Sequence, residues 1–266
     1  MSDLHLEFTG YAPDVVADAR EDLVVLAGDI GTGTDGIHWA KRTFPNTPVL
    51  YVLGNHEFYG YDWEQLIDEA HSACEGSNVR LLENDVFRYR GVRFLGTSLW
   101  TSFMLAGLYG QPQAMLACER AINDFRFIRS GGRNLLARET VERHERSAGW
   151  LRQELEGSDE VTVVITHHAP CLPARHPKYP LDDISNTFFS DLPEAFFQTP
   201  AAWVFGHTHY SMEAVRHVGT KLYSNQRGYP RERVDFDWCK VLEVAPGGSE
   251  AAGALQGIVR PGSGSP

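Results

Sequence analysis

Four short apolar runs in this chain break off in the same way, each into residues that bind metal ions or move protons. The run 23–27 ends in Gly28-Asp29, 49–53 in Gly54-Asn55-His56-Glu57, 161–166 in His167-His168, and 201–205 in Gly206-His207-Thr208-His209. A fifth polar group, Asp3-Leu4-His5, stands at the very start. Runs of this length and composition read as buried strands. In an open α/β sheet, ligands bind in the crevice beyond the carboxyl ends of the strands. One such ending arises by accident; five of metal-ligand type argue for a single polar site at one sheet edge.

The stretches between the runs supply the other half of an α/β pattern. A helix is expected near 36–43, and Asp62 with Gln65 suggests a capping box before Leu66, Ile67, Ala70 and Cys74 at helical spacing. Short strands are expected at 79–82, 86–90 and 92–95, with Asn84-Asp85 and Arg90-Gly91 as turns. Val141, His144, Ala148, Leu151 and Leu155 mark one face of a long helix over 138–155. His144 lies on that apolar stripe and is read as a hydrogen-bonded core residue. Further strands are expected at 213–218, 220–224 and 240–244, and the proline-rich stretch 170–180 is expected to be irregular. Residues 100–137, with a helix near 113–123, are either an insertion over the site or an ordinary peripheral helix pair. Residues 11–20 read as a connector and 247–266 as a loose Gly/Ser/Pro-rich tail, leaving one domain over 1–246.

Charge narrows the function classes. Lys and Arg total 24 against 35 Asp and Glu, a net charge of −11, so the broad basic face of a nucleic-acid binder is missing. The four cysteines include no C-x-x-C pair, which fits a reducing, cytoplasmic setting. No stretch approaches the ~20 apolar residues of a membrane span.

Asp3 and His5, Asp29, Asn55 and His56, His167, and His207 with His209 together resemble, in order, the motif set of the calcineurin-like metallophosphoesterase superfamily. The resemblance implies an α/β/β/α sandwich of two mixed sheets with flanking helices and a dinuclear metal site at the strand ends. It implies that Asp29 bridges two first-row ions, divalent or mixed-valence Mn, Fe or Zn. Asp3, His5 and His209 would complete one ion, and Asn55, His167 and His207 the other. Imidazole with carboxylate suits such metals. The implied reaction is hydrolysis of a small phosphate ester by a hydroxide held between the ions, with His56 as acid. Glu57 is expected to orient a histidine, His168 to touch substrate or support a ligand, and Arg227 either to meet a phosphate or to pair with Glu232 or Asp235.

Two departures stand out. Thr32 occupies the place, three after Asp29, where the family often has Asp or Asn, so a supporting hydrogen bond is expected to change. The motifs Gly28-Asp29-Ile30-Gly31-Thr32 and His167-His168-Ala169-Pro170 resemble the small bacterial-type esterases and not the protein serine/threonine phosphatases. No guanidinium pair matches the monoester clamp of that branch, which favours phosphodiesters over monoesters. A metal-binding scaffold and a nuclease are the rival readings; a complete ligand set with His56 disfavours the first, and the charge disfavours the second. Only Met1 and Ser2 precede Asp3, where the resembling proteins have an apolar strand. Asp3 and His5 are therefore expected on a mobile, truncated terminus.

Overall fold

The computed structural model describes residues 1–9 and 21–245; the expected connector at 11–20 and the tail at 247–266 fall outside the described residues. The run 49–53 shows how the layers arise. Val49, Tyr51 and Leu53 enter one hydrophobic cluster, while Leu50 and Val52 enter another. Side chains two apart share a face of a strand, so an unbroken apolar run is a strand covered on both sides.

Strands β1 (Val24–Ala27), β2 (Val49–Val52) and β3 (Val79–Leu81) form a sheet with parallel pairings only. Helices α2 (Asp35–Thr43) and α3 (Trp63–Cys74) make its crossovers, after a single turn α1 (Leu6–Thr9) near the start. The larger sheet contains β4 (Asp85–Tyr89), β5 (Val92–Thr97), β8 (Thr162–Thr166), β9 (Ala202–Val204), β10 (Met212–His217) and β11 (Thr220–Ser224). Its order is β10-β11-β9-β8-β5-β4, parallel at the centre and antiparallel at both edges. Between β5 and β8 come α4 (Gly107–Ala121), α5 (Asp124–Phe127), the hairpin β6–β7 (Arg129–Ser130, Arg133–Asn134) and α6 (Ala137–Leu155).

Leu50 and Val52 from the smaller sheet meet Phe94, Val163 and Ile165 from the larger one, forming the layer between the sheets. On the outer faces, Val49 and Tyr51 pack with Ile37, Trp39 and Leu66 from α2 and α3, and Val164 and Trp203 with Leu151 and Leu155 from α6. The result is the expected α/β/β/α sandwich. No helix among the described residues is long and apolar enough to cross a membrane.

Local expectations fare unevenly. Arg90 and Gly91 both have positive φ, 47° and 78°, as a two-residue type I′ hairpin between β4 and β5 requires. The capping box at Asp62 does not form: Asp62 Oδ2 accepts the Gly132 N–H at 3.0 Å, tying α3 to the β6–β7 turn. Helix α4 starts six residues earlier than expected. Residues 240–244 form no ladder, although Leu242 and Val244 pack against the layer between the sheets. His144 is buried, with Nδ1 facing the Leu99 and Trp100 carbonyls at 3.2 and 3.3 Å; burial lowers its pKa and keeps it a neutral core residue.

The mobile start is also not what the fold shows. Asp3 and His5 are fully buried and donate their backbone N–H groups to the Gly28 and Asp29 carbonyls at 3.0 and 3.1 Å. The Met1 carbonyl accepts from Ala27, and Ser2 bridges Gln226 in parallel. Residues 1–6 are thus held between β1 and the segment after β11.

Candidate metal centre

The strand ends converge. Asp29 lies between two groups of imidazoles, its Oδ1 3.4 Å from His167 Nε2 and its Oδ2 4.0 Å from His5 Nε2. On one side, His167 Nε2 meets His207 Nδ1 and Asn55 Oδ1, each at 3.1 Å. On the other, His5 Nε2 meets His209 Nε2 at 3.0 Å, and Asp3 Oδ1 lies 3.5 Å from the same His209 nitrogen. His207 and His209, two residues apart, therefore diverge to opposite groups. Their φ angles of 70° and 49° turn the chain between them.

Left-handed backbone is concentrated here. Asp3, His5, Asp29, His207 and His209 all have φ between 48° and 70°. Non-glycine residues rarely adopt this region, at a cost on the order of 1–3 kcal/mol each, and such strain collects at functional sites. Two glycines make the convergence possible. A Cβ on Gly54 would lie 2.2 Å from Asp29 Oδ1, and one on Gly28, at φ 84°, would lie 2.4 Å from His167 Nδ1.

The outer nitrogens of the four rings are each held by an acceptor. His5 Nδ1 faces Glu7 Oε1 at 3.2 Å and His209 Nδ1 faces Glu232 Oε2 at 2.5 Å. His167 Nδ1 meets the Ala27 carbonyl at 2.9 Å, and His207 Nε2 the Thr187 carbonyl at 3.1 Å. Carboxylates and carbonyls on the far nitrogen are the usual outer support of metal-binding histidines. With the hydrogens committed outward, neutral rings turn lone pairs toward one another across 3.0 and 3.1 Å. That arrangement repels unless positive charge lies between them. Protons alone feel the same demand: burial opposes a charged ring, yet Asp3 and Glu232 raise His209 to about 10, and Asp29 raises His167 to about 9. Burial likewise opposes the charge on Asp29, but His167, His56 and His5 hold it well below the usual carboxylate range. The donor set fits two cations.

His56 lines the cavity beside this centre. Its backbone N–H donates to Asp29 Oδ1 at 2.8 Å, and its ring stacks on Tyr59 at 4.2 Å. Nδ1 lies 2.9 Å from Glu7 Oε1, and Nε2 lies 3.1 Å from the Tyr229 hydroxyl. Burial disfavours the charge of Glu7, but hydrogen bonds from His5 and His56 hold it down to about 2. Glu7 is thus ionised, accepts the Nδ1 proton and leaves Nε2 facing the cavity. A carboxylate from α1 thus supports His56. The signal in the sequence is Glu7, two residues after His5.

Two expected roles are revised, those of Glu57 and Arg227, and of the two alternatives for His168 its place beside His207 is compatible only with support of a ligand. Glu57 contacts no histidine through its hydrogen bonds; its carboxylate accepts the N–H groups of Asp29, Ile30 and Gly54 and the Tyr51 hydroxyl, at 2.7–3.0 Å. It welds the loops after β1 and β2 together. Glu57→Ala is expected to lose about 3–5 kcal/mol of stability, because several buried donors are stranded at once; chemical denaturation measures this, and a loss under 1 kcal/mol would contradict it. His168 is buried against His207 and Trp100 with Nδ1 on the Ser98 carbonyl, and does not line the cavity. Burial, with His167 nearby, pushes it down to about 3, so it packs as a neutral ring. Arg227 reaches the Leu4 carbonyl and stacks over Trp238, away from the cavity and from both expected carboxylates.

The cavity in front of the centre holds about 670 Å³. Asp29, Asn55, His56 and His207 lie on its buried floor; Tyr59, Asp124, Lys178, Tyr179, Tyr229, Arg231 and Arg233 complete the walls and lip. Asp124, at the start of α5, accepts the Asn55 amide at 2.8 Å and the Tyr59 hydroxyl at 2.7 Å. The Asn55 oxygen is thereby turned toward the same point as His167 Nε2.

A family model described as calcineurin-like phosphoesterase matches residues 1–211. An uncharacterised protein of Acanthamoeba polyphaga mimivirus is 27% identical, over 92% of this chain and 95% of its own. Among solved structures, a phosphopantetheinyl hydrolase from Mycobacterium tuberculosis superposes with a TM-score of 0.62 at 23% identity, covering 87% of this chain and 89% of that one. The chain belongs to the calcineurin-like phosphoesterase family and is a metal-dependent phosphoester hydrolase.

Proposed function

We propose that the chain hydrolyses small phosphodiesters in preference to monoesters, using Asp29 to bridge two first-row metal ions. Asp3, His5 and His209 serve one ion and Asn55, His167 and His207 the other. The observation that carries this reading is the position of the Asp29 carboxylate, with one oxygen toward each group of imidazoles. Two cations held by these residues would supply an activated water and neutralise phosphoryl charge. His56 donates a proton through Nε2 to the departing oxygen, and Glu7 holds its ring in the required tautomer. Segment 100–137 acts as a cap, supported by Ile122, Asn123 and Asp124 on the cavity wall.

The diester preference rests on the floor of the cavity. Its buried residues include no lysine or arginine among those described, so a dianionic scissile phosphate meets no guanidinium clamp there. Metal-loaded protein should turn over bis(4-nitrophenyl) phosphate with higher kcat/KM than 4-nitrophenyl phosphate. Equal or reversed values would overturn the preference, and no turnover of either would overturn the reading.

Glu7→Gln should lower kcat about 10- to 100-fold, as losses of outer support commonly do. The fall should be steep for alkyl leaving groups and shallow for nitrophenolate, as for loss of His56 itself. A uniform fall across leaving groups would assign Glu7 to His5 alone.

A further inference from the structure

The cavity carries three carboxylates and three cations, and they differ in how they are engaged. Asp29 is committed to the histidines, Glu232 to His209, and Asp124 to Asn55 and Tyr59. Lys178, Arg231 and Arg233 have no carboxylate partner among the described residues. In a chain with 35 acidic residues against 24 basic ones, these three basic side chains nonetheless share one cavity without an ion-pair partner. They come from two separate loops, Lys178 before Tyr179 and the arginines on either side of Glu232, and meet only because the fold brings both loops to this cavity. They are exposed, whereas Asp29, Asn55 and His56 at the floor are at most 4% exposed. The cations are thus the solvent-facing part of the cavity lining, and the floor is its buried part. Tyr59, Tyr179 and Tyr229 line the same cavity, each an apolar ring with a polar tip.

We propose that this lip is a second anion subsite, and that the substrate is a phosphodiester whose non-leaving arm carries an additional anionic group, a carboxylate or a further phosphate. This rests on the hydrolytic reading above. It also gives an acidic protein a local field for an anionic ligand: exposed cations at the mouth of a cleft raise the local concentration of anions in a salt-dependent way.

The test uses two chromogenic diesters with the same 4-nitrophenolate leaving group, one with a second arm ending in a carboxylate and the other in the matching carboxamide. Metal-loaded wild-type protein should favour the carboxylate about tenfold in kcat/KM at low salt, the size that three exposed charge pairs supply together. The preference should fade as salt rises. In the Lys178→Ser, Arg231→Ser, Arg233→Ser variant the ratio should drop to about one, and Arg231→Glu with Arg233→Glu should reverse it. Turnover of both diesters by wild type with no preference would overturn the subsite and leave the hydrolytic reading standing. A ratio unchanged in both variants would also overturn it. Failure of wild-type protein with two bound metals to cleave either diester would overturn the hydrolytic reading, and the subsite with it.

Discussion

Asp29→Ala protein is expected to retain neither metal and to lose phosphoesterase activity by about a thousandfold or more. The several kcal/mol of transition-state stabilisation that a metal centre contributes disappears with the centre, and each 1.36 kcal/mol is tenfold in rate. The prediction follows from position. Asp29 holds one oxygen near His167 and the other near His5, so no neighbouring side chain can replace it for either group. His209→Ala should behave differently, weakening one site while the His167, His207 and Asn55 group keeps its ion. Elemental analysis after gel filtration separates the two cases. Full metal loading in Asp29→Ala would remove the bridge from the account, and loss of both ions in His209→Ala would show that the sites are not separable.

His56→Ala is expected to keep both metals and to slow turnover by about 10²–10⁴-fold for alkyl leaving groups, the usual range for a general acid. For 4-nitrophenolate, which departs with little protonation, the loss should be far smaller. His56 reaches the centre through its backbone N–H to Asp29 while its ring nitrogens face Glu7 and Tyr229, so removing the ring leaves the Asp29 contact in place. The leaving-group dependence of kcat measures this directly. Equal losses for alkyl and nitrophenyl esters would assign the ring a purely structural role.

The strand ends were legible in the sequence because a buried strand must be apolar along its length. An abrupt Asp, Asn or His at its end is then conspicuous, as at Ala27-Gly28-Asp29 and Thr166-His167. The pairing of Leu50 and Val52 toward one layer and Tyr51 and Leu53 toward the other follows from the same period of two. What was not legible depends on distance. Tyr229 lies 173 residues from His56 and Asp124 lies 69 from Asn55, so no local pattern links them. The partners of Glu57 are not legible either, because whether a carboxylate faces a histidine or a backbone N–H depends on how two loops pack. Arg227, Arg231 and Arg233 look alike in sequence, yet only the latter pair reaches the cavity; the turn after Gly228, with φ of 73°, separates them. That the Gly28 and Asp29 carbonyls hold Asp3 and His5 is also a long-range contact with no local pattern. The left-handed backbone at five of the proposed ligands is likewise a tertiary fact, imposed by convergence on one point.

The central claim is that these strand ends hold two metal ions that act together on one phosphate ester. Titrating Mn²⁺ or Zn²⁺ into chelator-stripped protein, while following bis(4-nitrophenyl) phosphate hydrolysis, tests it most directly. Activity should be negligible without metal, rise with the second equivalent and saturate at two ions per chain. Saturation at one equivalent, or full activity in the stripped protein, would contradict it.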